Sequence, residues 1–339
     1  MNRHSNNFDF LRLVFALFVI ITHSYALLGI ETSDVLSRLT KGQLTFSHLG
    51  VCGFFTISGY LIIKSLQRST SIGNYLKKRV LRLSPGLAVV LLLTVIYGAF
   101  VTEESLKTYF THYKTYLYVP ANLSLYRLQD FLPGVFTSNP FSGAINGSLW
   151  TLPYEFSCYL ALIPLYFLRN HVKWLKYLTF IVMAIFILAK LCCASAIARF
   201  DFVLAGHYIL EFGGYFAMGS TLAMLGIKDA KRKGILAIIS LIITVILLYF
   251  QVLDPVSFII LPILIISVGL LNTPYISSIS KSLGDLSYGI YIYAFPVQQS
   301  LIYFGVRDVI QLIILASLIT PVFAYFSWHV IEKRFLRFK

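Results

Sequence analysis

An all-α, polytopic bundle of membrane-crossing helices is the fold class this sequence predicts, and three observations carry it: apolar content, recurrent apolar runs, and the distribution of cations. Hydrophobic residues make up 58% of the 339 residues and charged residues only 12%, with a mean hydropathy of +0.78. A soluble domain cannot hide that much apolar surface, so lipid is the expected solvent. Crossing a hydrocarbon core of about 30 Å takes roughly 20 residues at a rise of 1.5 Å each. Runs of that kind predict about ten spans, over residues 9–30, 46–66, 84–101, 148–168, 175–195, 205–225, 234–251, 255–271, 285–305 and 309–329. The whole chain, 1–339, reads as a single membrane domain.

The first span carries Asp9, Arg12 and His23 and exceeds a typical signal-peptide h-region. It has no convincing small-residue cleavage site, so it is expected to be retained. The second contains Gly50-Val51-Cys52-Gly53-Phe54-Phe55-Thr56-Ile57-Ser58-Gly59-Tyr60, with glycines and small polar groups at about one-turn intervals. Lys77-Lys78-Arg79-Val80-Leu81-Arg82-Leu83-Ser84-Pro85 leads into the third. Residues 102–147 then form a long loop with Tyr109, Tyr113, Tyr116, Tyr118 and Tyr126 among Pro120, Pro133 and Pro140. It reads either as an interfacial aromatic belt around a partly re-entrant segment or as a platform on which sugar rings stack. The fourth span opens with Asn146-Gly147-Ser148-Leu149-Trp150-Thr151-Leu152-Pro153-Tyr154-Glu155. No sustained internal repeat is visible, so the inverted-repeat signature of many secondary transporters is missing. Beyond the last span only a short basic and apolar stretch precedes Lys339, and no appended catalytic domain is expected there.

A formal net charge of +14 raises the question of a nucleic-acid partner. With the N-terminus inside, most of the 28 Lys and Arg residues fall on the cytoplasmic side, beginning with Arg3 and Arg12. That is the bias of the positive-inside rule, and it predicts an even number of spans with both termini cytoplasmic. The basic balance is therefore topogenic, and no nucleic-acid partner is expected. Cys52, Cys158, Cys192 and Cys193 lie inside proposed spans without paired ligand spacing. They read as small apolar filler, with neither a metal site nor a disulfide framework.

An ionisable group near a bilayer centre costs about 2.5–3.5 kcal/mol on insertion scales and is a functional candidate by default. At about 100° and 1.5 Å per residue, Arg12 and His23 share one face of the first span, roughly 16 Å apart. Asp9, three residues before Arg12, has the spacing of an ion pair; the alternative for Arg12 is snorkelling to the interface. His23 is either a hydrogen-bonded packing residue or a base. Glu155 is expected at a similar depth, where a carboxylate beside an imidazole fixes its tautomer and raises its basicity; pairing with another cation is the alternative. Arg79 and Arg82, one turn apart, serve either as a topology signal or as an anion clamp. Ser58 and Gly59 stand where small residues let helices approach closely.

In this order and spacing the sequence resembles the acyltransferase 3 family of integral membrane O-acyltransferases, over its whole length. The resemblance is carried by Asp9-Phe10-Leu11-Arg12 with His23, by Phe54-Phe55-Thr56-Ile57-Ser58-Gly59-Tyr60 and by Arg79-Val80-Leu81-Arg82-Leu83-Ser84-Pro85. Further on it rests on Ser148-Leu149-Trp150-Thr151-Leu152-Pro153-Tyr154-Glu155, on Leu286-Ser287-Tyr288-Gly289-Ile290-Tyr291 before Pro296, and on Glu332-Lys333. It implies transfer of an acyl group, usually acetyl, from acyl-coenzyme A to a hydroxyl of an extracytoplasmic glycan or lipid-linked sugar. Acyl-coenzyme A is then a donor substrate rather than a bound cofactor, and the setting is a multi-pass, bacterial-type cell membrane. By the same resemblance His23 is the essential histidine, Arg12 its partner and Glu155 a third catalytic group, with Arg79, Arg82 and Ser58 at the donor site. Two positions depart from the pattern: Ala294 stands where many members carry a histidine shortly before the proline, and Phe156 where many carry a second acid. A transporter or flippase for a lipid-linked sugar is the other reading, since intramembrane charges also mark permeation paths.

Overall fold

The computed structural model describes residues 6–30, 34–227, 229–279 and 283–338; Arg3 and Lys339 lie outside them. Helices form at all ten expected positions, because apolar runs in lipid leave backbone N–H and C=O groups only one another as partners. They are α1 (Phe8–Leu27), α2 (Phe46–Gln67), α3 (Ile72–Val101), α4 (Leu152–Ala161), α5 (Val172–Ile197), α6 (Gly206–Leu225), α7 (Ala230–Tyr249), α8 (Ser257–Gly269), α9 (Ser287–Tyr303) and α10 (Val309–Phe326). Among the described residues there is no strand, only isolated bridges. Among the described residues six segments are long and apolar enough to cross a membrane: α1, α2, α3, α5, α7, and α10 together with the turns that follow it. The other four are shorter or less apolar. The fourth expected span is built in pieces, with α4 between 3-10 turns at Gly147–Thr151 and Ile163–Leu168. Pro153 and Pro164 open α4 and the second turn, where a missing N–H costs nothing.

Burial separates the centre of the bundle from its rim. In α2, 61% of the most apolar window is buried inside the protein, against 6% in α5. The most extensive helix contacts join α2 to α6 and to α1, while α9 packs on α10 and α1. Between α2 and α6 the backbones almost touch. A Cβ on Gly59 would sit 2.0 Å from the Phe216 carbonyl oxygen, and one on Gly219 would sit 2.1 Å from that of Thr56. Ser220 Oγ donates to the Gly59 carbonyl at 3.0 Å, completing a small-residue seam of the kind that replaces hydrophobic pressure in lipid. At the rim, Ile185, Leu188, Ile238, Ile242 and Val245 are exposed, a face suited to acyl chains.

Two connections lie at the end of the bundle where α1 finishes. Buried Asp34 organises the first: it accepts from Thr22 Oγ1 at 2.5 Å and from the backbone of Phe46 and Ser37, each at 3.0 Å. The second, the long loop, contains helices Leu106–Thr111 and Tyr113–Leu123 and is fastened to α9. Gln299 Nε2 donates to the carbonyls of Phe141 at 2.8 Å and Ala144 at 2.6 Å, while Asn146 Nδ2 donates to that of Ile292 at 2.9 Å. Of its tyrosines, Tyr109 and Tyr118 are fully buried and serve packing, whereas Tyr113 and Tyr116 are exposed.

Candidate active site

At the opposite end of the bundle, two helices bring cations together around one carboxylate. Arg12 of α1 donates to Asp285 Oδ2 at 2.8 Å, and Arg82 of α3 donates to the same oxygen at 2.6 Å. Ser287 Oγ holds the other carboxylate oxygen at 2.7 Å. In place of the expected pairing of Arg12 with Asp9 stands a tertiary contact to the residues ahead of α9. Asp285 stands in the connection before the helix. Burial alone would raise its carboxyl, but the guanidiniums of Arg12 and Arg82 outweigh that and hold it well below the usual carboxylate range.

Arg82 has a second acidic neighbour, the buried Glu332, 4.0 Å away. That residue is aimed inward by a π-helical turn, Ser327–Glu332, that continues α10, and Ser327 Oγ donates to it at 3.0 Å. One-turn π segments are frequent at functional sites. The rings of Tyr288 and Trp328 flank the Arg82 guanidinium at 5.8 Å each.

Arg79 is placed differently from Arg82. It donates to Ser65 Oγ at 3.1 Å, sits near the rings of Tyr75 and Tyr159, and keeps a buried Nε with no partner. Among the described residues no carboxylate lies within ion-pair distance of it. Glu155 accepts from Ser58 Oγ at 2.8 Å and from the Tyr159 hydroxyl. Ser58 and Gly59, alike as packing positions in sequence, therefore part company: Gly59 meets α6, while Ser58 faces the carboxylate.

His23 stands apart from Glu155, so the expected carboxylate–imidazole pair is not made. Its ring packs edge-on against Phe295, with centroids 5.6 Å apart, and its Nδ1 is buried without a hydrogen-bond partner. Gly147 lies against the same Phe295 ring; a Cβ there would come within 2.7 Å of it. Gln298 donates to the carbonyl of Ile20, one turn before His23 on α1, at 2.9 Å and to Oγ of the adjoining Ser24 at 2.7 Å.

A single stripe of α9 connects these groups. Tyr288 lies beside Arg82 and donates to the Leu83 carbonyl at 2.8 Å. Tyr291 meets Thr151 at 2.5 Å and the ring of Phe54, Phe295 meets His23, and Gln298 meets Ser24. Steps of three, four and three residues keep them on one helix face. Ala294 lies off it, in an apolar cluster with Ala16, Ile20 and Ile290. Eleven buried side-chain polar atoms among the described residues lack a hydrogen-bond partner, and six of them belong to Arg79, Glu332, Asn146, Ser148, Gln298 and His23.

Asp285, Glu332, Tyr291 and Gln298 escaped the sequence reading as members of the site. The signal available for Asp285 was an acid immediately ahead of the Tyr-rich motif; Gln298 was a polar residue inside an apolar run. The expectation that no ligand-type cluster exists also needs correction. Cys52 is no isolated filler: it converges with His48 and Glu211, their donor atoms all within 4.8 Å of one another. Ligand spacing along the chain missed it because Glu211 comes from α6.

The fold and this site define a multi-pass helical membrane protein with a cationic end, an imidazole whose buried Nδ1 lacks a hydrogen-bond partner, and one face of α9 between them. The chain belongs to the acyltransferase 3 family: the family described as Acyltransferase domain matches residues 5–331. It is accordingly an acyltransferase. It is similar to an O-acetyl transferase of Shigella phage Sf6, 28% identical over 98% of this chain and 96% of that protein. It is also similar to nodulation protein 10 of Rhizobium leguminosarum bv. viciae, 34% identical over 47% of this chain and 43% of the relative. No solved structure matches it.

Proposed function

We propose that this protein is an O-acetyltransferase of the bacterial cell membrane. In this reading it crosses the membrane ten times with both termini cytoplasmic, and it moves acetyl from cytoplasmic acetyl-coenzyme A to a hydroxyl of an extracytoplasmic polysaccharide or lipid-linked sugar. The observation that carries this reading is the α9 stripe, which runs from the Arg12–Asp285–Arg82 cluster to an imidazole whose Nδ1 has no hydrogen-bond partner among the described residues. The phosphates of the donor dock at the cationic end, with Arg79 as the guanidinium that no carboxylate among the described residues neutralises at ion-pair distance and Ser58 bordering the route. Its pantetheine arm then follows the stripe over roughly the 16 Å that separates Arg12 from His23 along the helix. Arg12 acts at that end rather than on the imidazole itself.

At His23 the imidazole accepts the proton of the acceptor hydroxyl as its oxygen attacks the thioester carbonyl. The C–S bond breaks, and the departing thiolate takes the proton back from the imidazolium. Glu155, held by Ser58 and Tyr159, contributes from the donor side. The acceptor enters beside the loop that Gln299 fastens, where Tyr113 and Tyr116 are exposed. The name of the phage relative supports acetyl as the group moved. Sealed vesicles of known orientation test the scheme. Labelled acetyl-coenzyme A on the face bearing the termini should acetylate acceptor confined to the other face, and His23→Ala should abolish transfer without loss of membrane insertion. Labelling only when both substrates share one compartment, or near-normal transfer by His23→Ala, refutes it.

A further inference from the structure

His48, Cys52 and Glu211 play no part in the path just described, and they sit on another side of α2. His48 and Cys52, one turn apart, face α6, whereas His23 packs against α9. The His48 Nε2 and a Glu211 oxygen meet at 2.5 Å, and the Cys52 thiol is wholly buried behind them. We propose that these three side chains form a binding site for a divalent transition metal of the zinc type, clipping α2 to α6 near the end of the bundle where α2 begins. The proposal is independent of the acyl-transfer reading.

The donor set fits such an ion. Thiolate, imidazole and carboxylate together suit Zn²⁺ and its borderline-soft neighbours, whereas Mg²⁺ and Ca²⁺ favour oxygen donors. Tetrahedral coordination at zinc-type bond lengths of about 2.0–2.3 Å needs donor atoms about 3.4 Å apart. Donors already within 4.8 Å reach that by side-chain rotation of about an ångström. The His48 and Glu211 side chains are 29% and 23% exposed, so an ion can enter over them and meet the thiol at the back. Binding replaces the thiol proton of Cys52 with the metal and releases that proton. Three protein ligands leave a fourth position for water.

A second observation points the same way. Tyr215, one turn after Glu211 on α6, is fully buried, stands with its ring centroid 6.5 Å from that of His48, and has a hydroxyl with no hydrogen-bond partner. It is placed to support a ligand or the metal-bound water, the outer-shell role that orients metal sites.

Co²⁺ is the probe. The full-length protein in lipid nanodiscs, stripped with chelator, should bind one equivalent, with the visible absorption of a four-coordinate ion and a thiolate-to-cobalt band in the near ultraviolet; Zn²⁺ should displace it. Cys52→Ser should abolish the near-ultraviolet band, and His48→Ala, Glu211→Gln and Cys52→Ser should each weaken binding by about 100-fold or more, Tyr215→Phe by about tenfold. A thermal midpoint of the unmutated protein that rises with Zn²⁺ but not Mg²⁺ gives a readout that no variant's folding can confound. Failure of the unmutated protein to bind Co²⁺ below millimolar concentration, binding without the thiolate band, or binding that Cys52→Ser leaves intact overturns the proposal.

Discussion

Asp285→Asn probes the knot that holds the cationic end together. The variant keeps the size of the side chain and one acceptor oxygen, but it removes the charge that Arg12 and Arg82 share at 2.8 and 2.6 Å. Hydrogen bonds to charged groups are worth about 1.5–3 kcal/mol each, and removing one partner of a buried pair costs about 3–5 kcal/mol. All three side chains are mostly but not wholly buried, at 13–20% exposure, so the lower end applies, about 3 kcal/mol. Because the carboxyl is held below its usual range, the contribution is fully present above the ordinary carboxylate pKa and is lost only as pH falls through the depressed value. Near neutral pH, then, the thermal midpoint of Asp285→Asn in detergent should drop by several degrees. A double-mutant cycle with Arg12→Gln should give a coupling above about 1 kcal/mol. The cycle with Arg82→Gln should give less, since Arg82 keeps Glu332 at 4.0 Å while Asp285 is the one carboxylate within ion-pair distance of Arg12 among the described residues. An Asp285→Asn protein within about 0.5 kcal/mol of the parent, the range of an ordinary surface change, refutes the knot.

Glu155→Gln should lower kcat/KM for acyl-coenzyme A while leaving the limb of the pH–rate profile that reports His23 in place, because the carboxylate contacts Ser58 and Tyr159 instead of the imidazole. A displaced limb shows it acting on His23 directly. Gly59→Ala should destabilise the protein by about 1–3 kcal/mol, since the new methyl meets a backbone carbonyl at 2.0 Å. Gly214→Ala, whose methyl meets Phe258 at an ordinary 3.4 Å, is the tolerated comparison in the same thermal assay, and equal losses contradict the seam.

Helices at the ten expected positions were legible because an apolar run is a local property that announces itself whatever it packs against; that four of them are shorter or less apolar than a full crossing, the fourth built in pieces, was not. The shared face of Arg12 and His23 was legible too, since it depends only on helical rise and rotation. The rest of what was hidden is tertiary. The partner of Arg12 lies 273 residues away in the chain, and that of Ser58 lies 97 away. No periodicity links them. Glu155 and His23 were matched by depth along their own helices, but depth fixes one coordinate out of three, and the rotation of α4 carries the carboxylate toward Ser58. Cys52 shows the same limit, since its neighbours come one from its own helix and one from α6.

The π-helical turn at Ser327–Glu332 sets the phase of everything after α10. Such a turn accommodates one residue more than an α-helical path would. With the π turn kept, deleting a single residue between Pro321 and Ser327 would swing Glu332 by about 100° and slide it by about 1.5 Å, carrying it off Arg82. Exchange of one apolar side chain for another on the outer face of α10, at Leu318 or Val322, leaves that phase untouched. Near its C-terminal end this chain should accept changes of spelling far more readily than changes of length.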